Sequence, residues 1–544
     1  MCEIRLLSSL AKVFPNHAPP ARHEKEWLSG LKGETVSFQL AYRVKESGYM
    51  WGRLQIDAPE GITATVRRVR YMPGYIHSRY KTDDGYLSTQ DGLYPDLLEP
   101  CDTHRLPLLP GPWYALWIDL HIGKNANPGG FSFPITVSDE TDKLLVTKEI
   151  RLTVFPAELP SLDIFRTHWL HVDCLAQYYN VEVFSERHWE IIENFITYGV
   201  QHGMNTFLTP IHTPPLDTAV GGERLTTQLL DITLEGEVYS FNFDKLERWV
   251  QLCQRAGVQY YEMAHLFTQW GAKHAPKIMG MKNGECTRLF GWETDATGAE
   301  YTQYLTQMLP QFTAKLQSLG IADKAIFHIS DEPYAENLEA YTAAREIVLP
   351  YLKGYRIVDA LANYDFYKKG IVSIPIPAVN HIEPFLQGNV PELWCYYCCS
   401  QSYKVTNHFF MQPSYRLRIL GILMYKFNIA GFLHWGYNFY NSVHSVYPID
   451  PYVVTDADGA FPSGDAFIVY PGKDGKPLAS LRLMVAQEAF NDYRALRLLE
   501  EKIGRDKVLA LIEEDLAQPL AFDCFPQREE YLLDLRLRVN QLLQ

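Results

Sequence analysis

Between residues 34 and 154 the apolar positions fall in short bursts that alternate with polar ones, and turn-forming residues separate the bursts. Glu34–Val44 (ETVSFQLAYRV), Trp51–Ile56, Ile62–Tyr71, Trp113–Ile122, Phe131–Val137 and Leu144–Val154 each read as a strand. Period-two alternation with β-branched and aromatic residues suits a pleated, half-buried surface. No helical period competes, so residues 1–158 are expected to form an antiparallel β-sandwich. Phe155–Pro160 (FPAELP) holds two prolines in six residues and reads as a semi-rigid joint that ends the domain.

Beyond the joint, strand and helix patterns alternate, which calls for a mainly parallel sheet with covering helices. The expected strands are Ile164–Leu170, Asn205–Leu208, Val258–Ala264, Ala325–Ile329, Arg356–Leu361, Val372–Val379, Leu393–Cys398 and Gly431–Trp435. Asp244 with Glu247 gives a capping-box pattern, and Gly257 closes the helix that follows. Tyr301, Tyr304, Leu305, Met308, Leu309, Phe312 and Leu316 make one stripe of a helix from Ala299 to Leu319, stopped by Gly320. Helices around the fifth and sixth strands are short and poorly defined. The fold class predicted is α/β: an N-terminal sandwich, a (β/α)8 TIM-type barrel over 159–480, and C-terminal helices over 481–544 that close the barrel and form a tail.

Chemistry in such barrels sits on the loops that follow the strands. Three are long, 209–243, 265–297 and 436–478, and they carry Gln269, Trp270, Trp292, Tyr437, Asn438, Tyr440 and Asn441. Aromatic and amide side chains of this kind stack on sugars and bond hydroxyls, and equally they pack the cores of long loops. The sharpest local feature is Phe327-His328-Ile329-Ser330-Asp331-Glu332-Pro333, an apolar strand running into two adjacent carboxylates. Pro333 keeps Glu332 out of the right-handed helical region, so the strand ends there and both side chains can share one site. Such a pair suits acid–base work, with one carboxylate ionised and the other raised in pKa by its neighbour's charge, or simply an exposed acidic turn that opens a helix.

The second feature, Gly431-Phe432-Leu433-His434-Trp435-Gly436-Tyr437-Asn438, delivers His434, Trp435 and Tyr437 to the barrel mouth as a sugar platform. A glycosidase with a protein nucleophile needs carboxyls about 5 to 5.5 Å apart across the bond, usually from different strands. Sequence neighbours sit more naturally on one side of the sugar. That favours substrate-assisted retention, in which a 2-acetamido oxygen attacks the anomeric carbon.

Composition narrows the partners. The chain has 544 residues, 47% apolar and 21% charged, with a formal net charge of −14. An acidic surface repels phosphate backbones and anionic bilayers, so neither nucleic acid nor membrane is expected as a partner. The N-terminal stretch lacks the order of a signal peptide, and the nine scattered cysteines suit free thiols, so a cytoplasmic location is expected. Cys395, Cys398 and Cys399 stand in LWCYYCCSQ without a second ligand pair, and read as a buried strand rather than a zinc site. His168 and His171 point to opposite faces of one strand. No phosphate loop or nucleophile elbow is present, and neither metal nor cofactor is expected.

From about His168 to Leu499 the sequence resembles the domain-of-unknown-function family 4091, similar to the catalytic region of glycoside hydrolase family 123. The resemblance is carried by THWLHVDCLAQYY, MNTFLTPIHTPPLDT, HLFTQWGAKHAPK, FHISDEP, LWCYYCC, GFLHWGYNFYNS and the VYPG…SLRLMVAQEAFNDYRAL end. It implies a retaining, substrate-assisted β-N-acetylgalactosaminidase without metal or organic cofactor. Asp331 matches the residue that orients the acetamido group, and Glu332 matches the general acid and base. The terminal motif departs from the family's REGIQDYEYL while keeping Glu488, Asp492 and Tyr493. From strand-end position, the pocket is expected to include His328, Trp435, Tyr437, His434, Asn205, His265 and Trp394. The expected function is release of terminal β-linked N-acetylhexosamine, N-acetylgalactosamine first, from an oligosaccharide or glycoconjugate. The alternatives are a protein-nucleophile glycosidase on a sugar without the acetamido group, and a carbohydrate-binding protein without catalysis.

Overall fold

The computed structural model describes residues 2–45, 50–77 and 79–544. The N-terminal region is two five-stranded sheets. One runs in the order 2–8, 35–44, 114–122, 62–74 and 92–100; the other runs 27–32, 144–158, 129–139, 50–56 and 106–108. All six expected strands form, and 2–8, 27–32, 92–100 and 106–108 join them. The expectation of a purely antiparallel sandwich needs correcting: Arg151–Glu158 pairs in parallel with Trp27–Lys32. That pairing also carries the last strand through the expected joint, with an irregularity between Phe155 and Glu158 and a pair between Glu158 and Lys32.

The strand Tyr114–Ile122 shows why the sandwich does not stand alone. Leu116, Ile118 and Leu120 face the second sheet and pack with Phe38, Leu40, Ile135 and Leu152. Ala115 and Trp117, on the alternate face, belong instead to the large core that continues into the barrel. Both faces of this sheet are therefore covered, which explains its near-continuous apolar sequence.

All eight expected barrel strands are present: β1 (Phe165–His168), β2 (Thr206–Thr209), β3 (Tyr260–Met263), β4 (Ala325–Phe327), β5 (Arg356–Leu361), β6 (Ile374–Pro377), β7 (Trp394–Tyr396) and β8 (Gly431–His434). Their spatial order is β6-β5-β4-β3-β2-β1-β8-β7. A single parallel bridge, Ala378 to Tyr396, joins β6 and β7, so the ring is nearly closed. Helices 365–368 and 383–387 are short, as the sequence suggests. Helix Leu481–Ile503 lies against helix Tyr415–Lys426 so closely that a Cβ at Gly421 would stand 1.8 Å from the Ala489 carbonyl oxygen. It covers the barrel on the β8 side, where Phe490 packs on Phe432.

Two local expectations change. Helix Asp244–Ala256 begins after Phe243 with no side-chain cap, so Asp244 is its first residue and no capping box forms; Gly257 ends it at φ 91°, as expected. The first two long loops are not irregular, because 231–235, 238–242, 278–282 and 285–290 build a four-stranded sheet at the barrel's edge. Among the described residues no helix is long and apolar enough to cross a membrane.

Candidate active site

β4 ends at Phe327, and the chain then turns so that Asp331 and Glu332 both line a cavity of about 280 Å³ at the strands' carboxyl ends. Glu332 adopts φ 44°, the left-handed region that a non-glycine residue occupies only when its surroundings hold it there. The Glu332 N–H donates to the Ala360 carbonyl at 3.1 Å, and the Asp331 carbonyl accepts from Trp270 N at 2.7 Å. The loop after β3 and strand β5 itself thus grip the backbone of the pair. The left-handed region also recurs at Asp217, Trp270 and His444, all lining the same cavity.

Burial pushes the Asp331 carboxyl well above the ordinary carboxylate range, and the neighbouring Glu332 charge adds to it; His328 pulls it down, while Asp359 and Glu262 push it up. Glu332 is raised by burial, lowered by the Tyr396 hydroxyl that donates to it, and raised by Asp465. Two adjacent carboxyls whose protonated forms burial favours can hold and hand over a proton.

The floor beneath them is polar and closed. Glu262 on β3 accepts from Thr167 Oγ1 at 2.6 Å, Trp169 Nε1 at 2.8 Å and His328 Nε2 at 2.6 Å. Asp359 on β5 accepts from Ile329 N at 3.0 Å and from the Tyr341 hydroxyl. His328 Nδ1 stands 3.4 Å from Asp359 Oδ1, and all three side chains are inaccessible to solvent. Burial alone would lower the His328 pKa, but its bonds to Asp359 and Glu262 raise it to about 9.

The walls come from four directions. Trp435 follows β8; its Nε1 donates to Asp465 Oδ2 at 3.0 Å, and its ring packs between Phe439 and Phe461. Asp217 follows β2 and is raised by burial, with Gln269 Oε1 accepting from its N–H at 2.6 Å and its Oδ2 accepting from His444 N at 2.9 Å. Cys398 and Cys399 line the cavity just past β7, so the LWCYYCC run is strand only over Trp394–Tyr396. Arg79 and Tyr80 reach in from the sandwich on a strap over the mouth. The strap is tied down by Tyr80 to the Ala460 carbonyl at 2.7 Å, by His77 to Asp456 at 3.0 Å, and by a two-pronged bond of Arg416 to Asp83.

Of the residues expected in the pocket, Asp331, Glu332 and Trp435 line it. His328 and His265 lie beneath, with their rings stacked at 4.4 Å. His434 turns away from the cavity to pack on His408, and Tyr437 is buried with its hydroxyl on the Phe195 carbonyl. Asn205 and Trp394 are at the wrong end. Asn205 precedes β2 and holds the β1 backbone through Arg166 N and the Ile164 carbonyl, while Trp394 opens β7 and stacks on Phe165 at 4.7 Å. The loop aromatics divide: Gln269 and Trp270 line the cavity, whereas Asn438, Tyr440 and Asn441 are buried and Trp292 packs on His274 and donates to the Gly222 carbonyl of the loop after β2. Sequence reasoning missed Tyr396, Asp217, Arg79 and Tyr80. Only Tyr396 carried a signal, as the last residue of a barrel strand.

Among the described residues, two side-chain triads bring their ligand atoms within 4.8 Å: His265, His328 and Asp359, and His408, His434 and Asp465. In the first, His328 donates from Nε2 to Glu262 and its pKa is raised to about 9, which suits an ion pair better than a metal ligand. In the second, Gly436 N donates to His434 Nδ1 at 3.0 Å, so that nitrogen is already engaged by the backbone.

A family model described as "Glycoside hydrolase 123, catalytic domain" matches residues 169–499. Among solved structures, a family 123 glycoside hydrolase from Clostridium perfringens, studied for glycolipid glycan hydrolysis, superposes with a TM-score of 0.73. It is 14% identical, and the match covers 100% of this chain and 97% of that one. A Parabacteroides merdae β-glucuronidase aligns at 11% identity over 92% of this chain and 52% of its own, with a TM-score of only 0.31. No curated protein sequence matches the chain.

Proposed function

The chain belongs to glycoside hydrolase family 123, and from that premise we propose that it is a retaining enzyme that releases terminal β-linked N-acetylhexosamine, N-acetylgalactosamine first, with help from the substrate's own acetamido group. The observation that carries this reading is the placement of Asp331 and Glu332, adjacent at the end of β4 and facing one cavity. Glu332, whose protonated form burial favours, gives a proton to the glycosidic oxygen as the bond to the anomeric carbon breaks. The acetamido oxygen attacks that carbon, and Asp331 accepts the amide N–H and balances the positive charge of the oxazolinium ion. Water then adds to the anomeric carbon, giving its proton to the Glu332 carboxylate and restoring the amide. Trp435, fixed by Asp465, offers an aromatic face to the sugar. The substrate is a glycan or glycoconjugate.

Asp217 supports a second reading, since it is the other carboxylate lining the cavity and comes from a different strand end. A sugar without the acetamido group would need such a nucleophile. The test is hydrolysis of aryl β-glycosides of N-acetylgalactosamine, N-acetylglucosamine and galactose, beside Glu332→Gln, with proton NMR of the first-formed anomer. Hydrolysis of the N-acetylated sugars alone, with the β anomer formed first, is expected. Turnover of the galactoside with insensitivity to a thiazoline inhibitor moves the reaction to Asp217, and glycan binding without hydrolysis at any pH leaves a binding protein.

A further inference from the structure

We propose that His328 is a positioning residue for Asp331: clamped between Glu262 and Asp359 under the cavity, its ring is the fixed positive charge that allows Asp331 to become an anion when the reaction demands it. The proposal rests on the reading of Asp331 given above, and it changes the place of His328 from sugar contact to support.

A buried histidine without a carboxylate partner is pushed toward its neutral form. His168 and His265 are equally enclosed, neither ring nitrogen of either has a partner, and burial drives both pKa values well below the ordinary one. His328 differs because two carboxylates face it. Glu262 approaches from β3 at 2.6 Å, and Asp359 approaches from β5 at 3.4 Å. The other groups packed around it add no cation: the His265 ring stacks on one side, Trp169 stands edge-on at 6.0 Å, and Tyr341 donates to Asp359 from the helix outside. Asp331, on its own segment, is the remaining charge that His328 acts upon.

The charge balance explains why the cation matters. Glu262 and Asp359 both oppose ionisation of Asp331, as do burial and Glu332, and His328 is the group among those acting on Asp331 that favours it. Removing the ring's charge leaves two acids under a third in an enclosed space, where like charges interact strongly. Asp331 would then stay neutral and could not balance an oxazolinium ion. The two carboxylates that hold His328 are themselves held by Thr167, Trp169, Ile329 and Tyr341. Trp169 also lines the cavity, so one network fixes both a wall of the site and the charge beneath its carboxylate.

The test joins a variant with a direct reading of the ring. His328→Gln keeps an amide N–H for Glu262 and removes the charge. On an aryl glycoside that the wild type hydrolyses, the ascending limb of kcat/KM should move up by about one pH unit or more. kcat should fall about 100-fold with KM within about threefold. A rate lowered by one factor at every pH would mean a merely structural role and would overturn the proposal. Should the variant not fold, ¹⁵N-histidine NMR of the wild type decides: both His328 ring nitrogens should remain protonated through pH 8, and a neutral ring at pH 7 overturns the proposal. That spectrum needs no turnover, so an inactive protein would sink the functional reading without deciding this one.

Discussion

The Tyr396 hydroxyl donates to Oε1 of Glu332, so the last residue of β7 aims a carboxyl carried by the turn after β4. A donor to a carboxylate stabilises its ionised form. Tyr396→Phe should therefore raise the Glu332 pKa and move the descending limb of kcat/KM to higher pH. The freed side chain should also lower kcat, by about 10- to 100-fold, because the proton is no longer presented in line. A pH–rate profile of the variant checks both, and an unchanged limb would separate Tyr396 from the acid.

Asp331→Asn and Glu332→Gln should fail differently. Loss of a general acid costs about 10² to 10⁴ when the leaving group needs a proton and little when it does not. Glu332→Gln should therefore lose sugar–sugar substrates while retaining some hydrolysis of nitrophenyl glycosides. Asp331→Asn should lower kcat on both, since the amide can neither orient the acetamido N–H nor balance charge. Equal losses across leaving groups in Glu332→Gln would remove it from the acid role.

These expectations start from two residues that sequence made visible and depend on others that it hid. Eight buried parallel strands read as short apolar runs, and an apolar run ending in Asp331-Glu332-Pro333 stands out against them. Asn205 and Trp394 show the limit: in strands of three or four residues, side chains at the amino and carboxyl ends are only a few positions apart but belong to opposite mouths of the barrel. His434 turns away from the cavity by alternation, as the neighbour of Trp435, and Tyr437 lies beyond the end of β8, where its hydroxyl reaches the Phe195 carbonyl instead. Arg79, Tyr80 and Asp217 come from a strap and a loop distant in sequence, and no local pattern announces a contact made only by folding.

Asp465 is expected to act on the site in two measurable ways. Asp465→Ala would leave the Trp435 indole N–H unpartnered and its ring free to shift, costing about 1 kcal/mol or more of sugar binding, which is about fivefold in KM. Because Asp465 also raises the Glu332 pKa, its loss should move the descending limb to lower pH, opposite to Tyr396→Phe. Limbs moving the same way in both variants would refute this electrostatic assignment.

Glu488 predicts a pH dependence of stability rather than of rate. Arg418 donates from Nε and Nη2 to Asp492, at 2.7 and 3.0 Å, and from Nη1 to Glu488 at 2.9 Å, joining the helices at 415–426 and 481–503. The retained Glu488 and Asp492 thus tie two helices together. Burial raises the Glu488 pKa from 4.5 to about 7, against the pull of Arg418 and Ser9. An acid raised on folding binds its proton more tightly in the folded state, so its contribution is full below the unfolded pKa and lost as pH rises through the folded one. Between about pH 4.5 and 7 the folded protein should lose up to about 3 kcal/mol from this group. Glu488→Gln should flatten that part of the curve in urea unfolding, and parallel curves for the two proteins would contradict it.

One of the three ties of the strap over the cavity is a buried ion pair. Arg416 donates to Asp83 at 2.7 and 2.6 Å with both side chains 2% exposed, and Asp83 also accepts from the N–H groups of Lys404 and Gly85. Breaking such a pair from one side strands a charge and costs about 3 to 5 kcal/mol, whereas replacing both partners by apolar residues is close to neutral. Asp83→Ala should therefore lower the denaturation midpoint and raise KM, because Arg79 and Tyr80 lose the anchor that holds them at the mouth. Asp83→Leu with Arg416→Met should regain much of the stability but not the KM, since the bonds to Lys404 and Gly85 that set the strap's path remain absent. Recovery of both together would mean that the strap is held by packing alone, and a normal KM in Asp83→Ala would show that the sandwich contributes nothing to substrate binding.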